Sequence, residues 1–278
     1  MINKMLAALY IGKEGFEDDV RIKELAASLE KGGCSCYYVF DGGSLREETD
    51  LVLSVGGDGT FLSVAMLVAD LGVPVVGVNL GRLGFLSENR PEDVAQAILS
   101  QDYTIEERSL LKASLSAPCG NPSIDGWPYA LNEVAVHRSG AAMLGVDVCL
   151  DGKWLPTYWA DGLIVSTSSG STAYSLSVGG PIVLPQSKVL ILAPIAPHNL
   201  NVRPLVIPDS SEVHLRVHSR DGKAIFTIDN RTVELPEGLE ITVSLAHFSL
   251  RRVRFNNSDF INALTEKLFW GEDVRNIR

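Results

Sequence analysis

The run Asp50 to Met66, Asp-Leu-Val-Leu-Ser-Val-Gly-Gly-Asp-Gly-Thr-Phe-Leu-Ser-Val-Ala-Met, carries a carboxylate whose surroundings invite chemistry. Leu51, Val52, Leu53 and Val55 form an apolar run, Gly56-Gly57-Asp58-Gly59 interrupts it, and Phe61, Leu62, Ala65, Met66, Val68 and Ala69 resume at helical spacing. This order predicts strand, glycine turn and helix. Such a turn lets a ligand approach the backbone while the helix presents free N–H groups and its positive dipole end, so phosphate is the natural occupant. Asp58 repels an anion unless it binds a cation or takes a proton from a reacting hydroxyl. Leu62 stands where a dinucleotide fingerprint wants glycine, and no Gly-Lys-Ser/Thr follows to make a P-loop. The plainer alternative is a tight turn capped by Asp58 itself, because Asp and Gly favour turns for local reasons.

Two further stretches combine unusual residue types. From Asp161 to Pro181 an apolar strand runs into seven Ser/Thr side chains between Ser166 and Ser175, with no charge among them. That composition suits either a polar, uncharged ligand surface or a loop in which Ser171 or Thr172 caps a short helix through Ser177. A serine nucleophile is disfavoured, since no Gly-x-Ser-x-Gly elbow can be drawn. Asn132-Glu133 lies within the apolar run Ala130 to Val136; on a strand the two point to opposite faces, so one faces a core or cleft unless a bulge or edge intervenes.

The elements that must position these residues begin as strand and helix in alternation. Met5–Ile11 and Cys36–Phe40 read as strands around a helix from Glu17 to Lys31, Val73–Val78 as another strand, and Pro91–Leu99 as a helix opened by proline and acidic residues. This pattern predicts a parallel sheet with its ligand at the carboxyl ends of the strands. Near Arg108 the character changes to short strands: Leu111–Leu115, Ala130–His137, Val146–Leu150, Leu163–Thr167, Val189–Leu192, Glu212–His218, Ala224–Ile228, Leu239–Leu245 and Leu250–Phe255. Asp151-Gly152 and Asp221-Gly222 read as hairpin turns, and Ala117–Pro128 as a loop. Asn257–Phe269 predicts a last helix, capped by Asn/Ser, that returns to the first domain. The expected division is an α/β domain over 1–108, a β-rich domain over 109–255 and a C-terminal helix within 256–278.

Composition narrows the partners. A chain that is 46% hydrophobic with a net charge of −10 is globular and lacks the basic face that nucleic acid needs. With no apolar run of about 18 residues and no leader pattern, neither membrane nor secretion is expected, and the reading is cytoplasmic. Cys34, Cys36, Cys119 and Cys149 match no zinc or thioredoxin spacing and read as reduced thiols. His214 and His218 stand four apart on a strand, which separates them by roughly 13 Å and disfavours a metal site.

Taken together, Gly56-Gly-Asp-Gly-Thr60, Asn79-Leu-Gly-Arg-Leu-Gly-Phe-Leu86, Asn132-Glu133, Asp161 to Pro181, Pro194-Ile-Ala-Pro-His198 and Arg203-Pro-Leu-Val-Ile207 resemble the NAD kinase family, in that family's order. The glycine turn alone is shared with phosphofructokinases and with diacylglycerol and sphingosine kinases; the Asp161 stretch is far more specific. The resemblance implies an N-terminal α/β domain, a C-terminal β-sandwich-like domain, an active site in the cleft between them, and phosphoryl transfer from ATP to the adenosine ribose 2′-hydroxyl of NAD, giving NADP. It also implies roles. Asp58 would be the base, and the backbone of Gly56, Gly57, Gly59 and Thr60 would hold donor phosphates with a magnesium ion that arrives with ATP instead of in a built-in protein site. Asp58, Gly59, Asn132, Glu133, Asp161, Thr172, Ala173, Tyr174, Ser177 and Ala196 would contact NAD. Relatives assemble as homodimers and homotetramers.

The chain departs from the family pattern at named places. Ser168-Ser169 replaces Pro-Thr, Ser63 stands where many relatives have arginine, and Trp159 replaces a basic residue; Arg231, in place of a more usual glutamine, either returns one cation to the phosphate or is an ordinary exposed arginine, the reading that most arginines favour. A lipid or sugar kinase of the same superfamily would keep the glycine turn without needing the Asp161 pocket. A non-catalytic NAD(P) sensor would keep the pocket, and the intact Asp58 speaks against it.

Overall fold

The computed structural model describes residues 5–13, 15–81, 84–256, 258 and 260–270. Part of the Asn79–Leu86 motif (Arg82 and Leu83) and the expected Asn257 cap lie outside the described residues. The chain divides into two compact units, one of residues 1–107 with 250–278 and one of residues 108–249.

In the first unit, Leu6–Ile11 pairs in parallel with both Ser35–Phe40 and Leu51–Val55, and Leu51–Val55 pairs with Val75–Val78. The end of the long strand Glu240–Phe255 joins the other edge through Arg252 opposite Val75. Every residue of Leu51–Val55 and Val75–Val78 is buried, as a parallel sheet covered on both faces requires. Helix Val20–Lys31 starts where the Asp19 side chain accepts from the Arg21 N–H, and its Ile22, Leu25 and Leu29 share a core with Val94 and Ile98 of helix Pro91–Leu99. Helix Asp58–Val68 buries Phe61, Val64, Ala65 and Val68. The C-terminal helix spans Phe260–Leu268 and buries Ala263 and Leu264. The expected single helix from Glu17 splits, with a 3-10 turn at Phe16–Asp18 before the Asp19 cap.

The second unit is all antiparallel. One sheet runs Leu205–Pro208, Val189–Ile195, Gly162–Thr167, Glu133–Arg138, Lys223–Ile228 and Arg231–Pro236. A second layer places Tyr158–Ala160, Leu144–Leu150, Val213–Ser219 and the start of Glu240–Phe255 side by side. Alternate residues of both layers meet in one core, with Val134, Val136, Leu163, Val165, Leu192 and Phe226 from the first and Val146, Val148, Leu215, Val217 and Val243 from the second. That is a sandwich, each strand burying the side that faces the other layer. Asp151 and Gly152, at φ +47° and +78°, form the primed turn expected of an Asp-Gly hairpin. Strands Lys153–Trp154, Tyr158–Ala160, Leu205–Pro208 and Arg231–Pro236 escape the sequence reading, and the expected pair Leu239–Leu245 and Leu250–Phe255 is one continuous strand. The expected loop 117–128 contains a short helix, Pro122–Asp125.

Candidate active-site residues in the two units

In the first unit the strand Leu51–Val55 ends in Gly56 at φ +153°, where a Cβ would lie 2.2 Å from Thr60 Oγ1. A Cβ on Gly12, at the end of the neighbouring strand, would meet the same side chain at 2.3 Å. Thr60 thus fills the space that two glycines vacate. Gly57 is the N-cap of the following helix and supplies no side-chain cap, so the first turn keeps its N–H groups free of one.

Asp58, the first helical residue, turns its carboxylate toward the segment Phe85–Ser87. Oδ2 accepts from the Phe85 N–H at 2.8 Å, and Oδ1 accepts from those of Leu86 at 3.0 Å and Ser87 at 2.9 Å. Gly84 has no room for a side chain, because a Cβ there would sit 1.8 Å from Asp58 Oδ1. Asn79 fixes the same segment, donating to Ser87 O and accepting from the Gly81 N–H. A carboxylate has about four acceptor positions, so Asp58 keeps one, on Oδ2, after three are spent on its own backbone. Asp58 therefore organises the distant segment Phe85–Ser87, not its own turn, and retains an oriented lone pair.

Ser63 lines a cavity of about 420 Å³ together with Tyr10, Asp41 and Met66. The buried Tyr10 hydroxyl donates to Asp41 Oδ1 at 3.3 Å, and burial, then the Asp41 charge, push that phenol above its ordinary range. The residues lining this cavity include no cation, so position 63 meets a phenol and a carboxylate.

In the second unit Asn132 interrupts the expected strand, leaving Tyr129–Ala130 and Glu133–Arg138. The cause is Asp229, whose carboxylate accepts from the N–H groups of Leu131 at 2.8 Å, Asn132 at 2.8 Å and Glu133 at 3.2 Å. Asn132 and Glu133 are both buried, and Glu133 Oε2 has no hydrogen-bond partner. Burial, then the neighbouring Asp229, push the Glu133 carboxyl up to about 8, against one N–H from Tyr174. Burial also pushes Asp229 upward, but its three N–H donors leave Glu133 as the member of the pair that holds the proton.

Tyr174 opens the short helix Tyr174–Ser177 and packs with Val178 and Val183 over Ala135, Ile164, Ile191 and Ala193 on the outer face of the six-stranded sheet. Its ring stacks on His137 with centroids 5.5 Å apart and planes 18° apart. Burial lowers the His137 pKa, so its imidazole is neutral near pH 7. Glu133, Tyr174 and His137 thus form one group, with Thr172 and Ala173 just before it in the chain. Asp161 immediately precedes strand Gly162–Thr167, whose Gly162 lies opposite His137; its N–H donates to Ile195 O, beside Ala196, and its carboxylate pairs with Arg138 at 3.0 Å. Ser177 and Ala196 are exposed.

Three expectations need correction. The hydroxyls of Ser166, Thr167, Ser168, Ser171 and Thr172 donate to main-chain carbonyls within the unit, so most of the hydroxyl-rich run faces inward to hold its own backbone. The helix Tyr174–Ser177 has Ala173 as N-cap with no side-chain bond, so neither Ser171 nor Thr172 caps it. The Arg231 guanidinium donates to the carbonyls of Ser123, Trp127 and Tyr129. With three of its five N–H donors spent on one loop, Arg231 is a structural tie and not an ordinary exposed arginine. Trp159 is 43% exposed and lies against Gly145, where a Cβ would be 2.8 Å from the indole.

Sequence reasoning passed over His137 and Asp229. The signal for His137 was present, since Glu133, Ala135 and His137 share one face of a strand at period 2. Asp229 resembled an ordinary turn residue. His214 and His218 each meet a separate carboxylate, Glu212 and Asp147, and among the described residues no three His, Cys, Asp or Glu side chains form a metal cluster. No described helix is long and apolar enough to cross a membrane.

The raised carboxyl predicts a pH dependence. Between the ordinary value of 4.5 and about 8 the folded chain keeps the Glu133 proton that the unfolded chain has lost, so this group's contribution to stability falls as pH rises through that window. Glu133→Gln is expected to flatten the slope and to raise the melting temperature more at pH 8 than at pH 5. Parallel curves for variant and wild type over this range would show that Glu133 ionises normally.

Comparison with known proteins gives a consistent relationship. Residues 43–101 match the family model described as the ATP-NAD kinase N-terminal domain, and residues 131–255 that of the C-terminal domain. The chain is 43% identical to the NAD kinase of Bacteroides fragilis over 82% of its own length and 79% of that protein's. It is 39% identical to the NAD kinase of Porphyromonas gingivalis over 96% and 99%. Among solved structures it resembles yeast NADH kinase complexed with NADH, with a TM-score of 0.84 at 26% identity, covering 100% of this chain and 91% of that one. An NAD kinase from Archaeoglobus fulgidus in complex with ATP gives 0.76 at 28% identity, covering 95% and 98%.

Proposed function

Because the chain belongs to the NAD kinase family, we propose that it transfers the terminal phosphoryl group of ATP, bound as its magnesium salt, to the adenosine ribose 2′-hydroxyl of NAD, giving NADP and ADP. The observation that carries the residue assignment is Asp58, an oriented carboxylate with one acceptor position left at an uncapped helix start. Asp58 accepts the hydroxyl proton as the oxygen attacks phosphorus. The N–H groups around Gly56, Gly57, Gly59 and Thr60 hold donor phosphate oxygens, in keeping with a transfer governed by positioning and charge stabilisation. Magnesium offsets phosphate charge as part of the nucleotide substrate.

Residues 1–107 with 250–278 supply this phosphoryl chemistry, and residues 108–249 recognise the dinucleotide. Asn132 and a protonated Glu133, which offers one donor and further acceptors, bind the adenosine; Asp161, Thr172, Ala173, Tyr174, Ser177 and Ala196 line the remainder. The assay is NADP formation from NAD, ATP and Mg²⁺. No NADP, with phosphorylation of diacylglycerol or fructose 6-phosphate instead, would overturn the reading. Tyr174→Ala removes one ring of the stack with His137 and is expected to weaken NAD binding by roughly 1–3 kcal/mol in a folded protein. Unchanged affinity by calorimetry would reduce the segment to a structural loop.

The same reading includes a cytoplasmic homodimer or homotetramer. Strand Leu205–Pro208 is a sheet edge with Leu205 and Val206 exposed, which offers a route to assembly that light scattering can test.

A further inference from the structure

Lys267 lies on the C-terminal helix Phe260–Leu268, far in sequence from any motif named above. Its ammonium is buried, has no hydrogen-bond partner among the described residues, and sits 4.3 Å from the centroid of the Phe85 ring. Phe260 of the same helix also packs against Phe85, with ring centroids 6.0 Å apart. The main chain of Phe85 is in turn the donor to Asp58 Oδ2. One residue is therefore held by the C-terminal helix through its ring and by Asp58 through its N–H.

An unpaired buried ammonium costs free energy that a methionine of similar length would not. Glu88 is already engaged by Arg252 at 2.6 Å and by the Ser258 hydroxyl, and Glu106 takes Arg254 at 2.9 Å. What compensates Lys267 is the face of Phe85 and the field of the acids around it. Burial pushes its pKa down; Asp58, Glu88 and Glu266 oppose that, and Arg252 adds to it.

We propose that Lys267 is a positioning residue for the transfer: its ammonium pins Phe85, and through the Phe85–Ser87 backbone it keeps the Asp58 carboxylate aimed with its remaining lone pair free. The inference rests on Asp58 as the base. It assigns the C-terminal helix a part in catalysis that its sequence, read as a last helix returning to the first domain, does not announce.

The test uses the full chain with Lys267→Met, which keeps length and removes charge, and Lys267→Arg, which keeps charge at any working pH. Lys267→Met is expected to lower kcat by roughly ten- to a hundredfold, with KM for NAD within about threefold of wild type, because orientation and not binding is lost. The wild-type kcat is expected to fall on the alkaline side as the ammonium loses its proton. Lys267→Arg should carry activity further into that range, and Lys267→Met should show no such limb. A kcat for Lys267→Met within about twofold of wild type, or coincident alkaline limbs for wild type and Lys267→Arg, overturns the proposal. Failure of the base assignment is seen separately, as turnover retained by Asp58→Asn.

Discussion

Asp58→Asn is expected to lower turnover by roughly two to four orders of magnitude while NAD binding is largely retained. The amide keeps the carboxylate's shape and loses its basicity. It also changes the loop: an amide oxygen in the place of Oδ1 still accepts from Leu86 and Ser87, but the NH₂ group then faces the Phe85 N–H, donor against donor. Some of the loss in Asp58→Asn therefore comes from a displaced Phe85. Gly84→Ala separates the two effects, because it leaves the carboxylate and forces it away from a Cβ placed 1.8 Å from Oδ1. Steady-state kinetics on both variants, with calorimetry for NAD, form the measurement. Near-wild-type turnover in Asp58→Asn discards Asp58 as base, whatever Gly84→Ala does.

The second large effect is on stability. Asp229→Ala strips the acceptor from the N–H groups of Leu131, Asn132 and Glu133, in a part of the chain where water is excluded. At about 1–3 kcal/mol for each buried donor left unpaired, and allowing for partial relaxation, the loss is expected to be on the order of 3–6 kcal/mol. Asp229→Asn should cost less, since an amide oxygen still serves Asn132 and Glu133. Urea unfolding checks both. A loss below about 1 kcal/mol for Asp229→Ala would mean that the break in the strand at Asn132 is held by something else.

The sequence revealed most where a residue's effect is local. Pro91 and the acids after it mark the start of helix Pro91–Leu99, and the run Leu51–Val55 followed by glycines announces a buried strand and the turn that presents Asp58. It revealed least where the partner is distant. Nothing adjacent to Asp229, Arg231 or Lys267 says that the first holds residues 131–133, the second the carbonyls of 123–129, and the third an aromatic ring at position 85. The four missed strands fail for a related reason. Lys153–Trp154 and Tyr158–Ala160 are too short to show a period, and both are specified by the strand Leu144–Leu150 beside them. His247 and Ser249 made Glu240–Phe255 look like two strands, although polar residues at alternate positions suit a strand with one wet face.

The unit that carries Asp58 is sewn from both ends of the chain, whereas residues 108–249 form theirs without interruption. During synthesis the middle segment can finish folding while the N-terminal sheet still waits with Val75–Val78 as an open edge. Its last strand segment, residues 250–255, and the helix with Lys267 leave the ribosome after both. Closing that sheet brings together residues separated by the whole middle unit, a high-separation contact that sets a slow step and leaves the unpaired strand exposed to wrong partners until it is made. Premature termination before residue 250 thus yields a chain whose sandwich has nearly all of its strands and whose phosphoryl-transfer half cannot close.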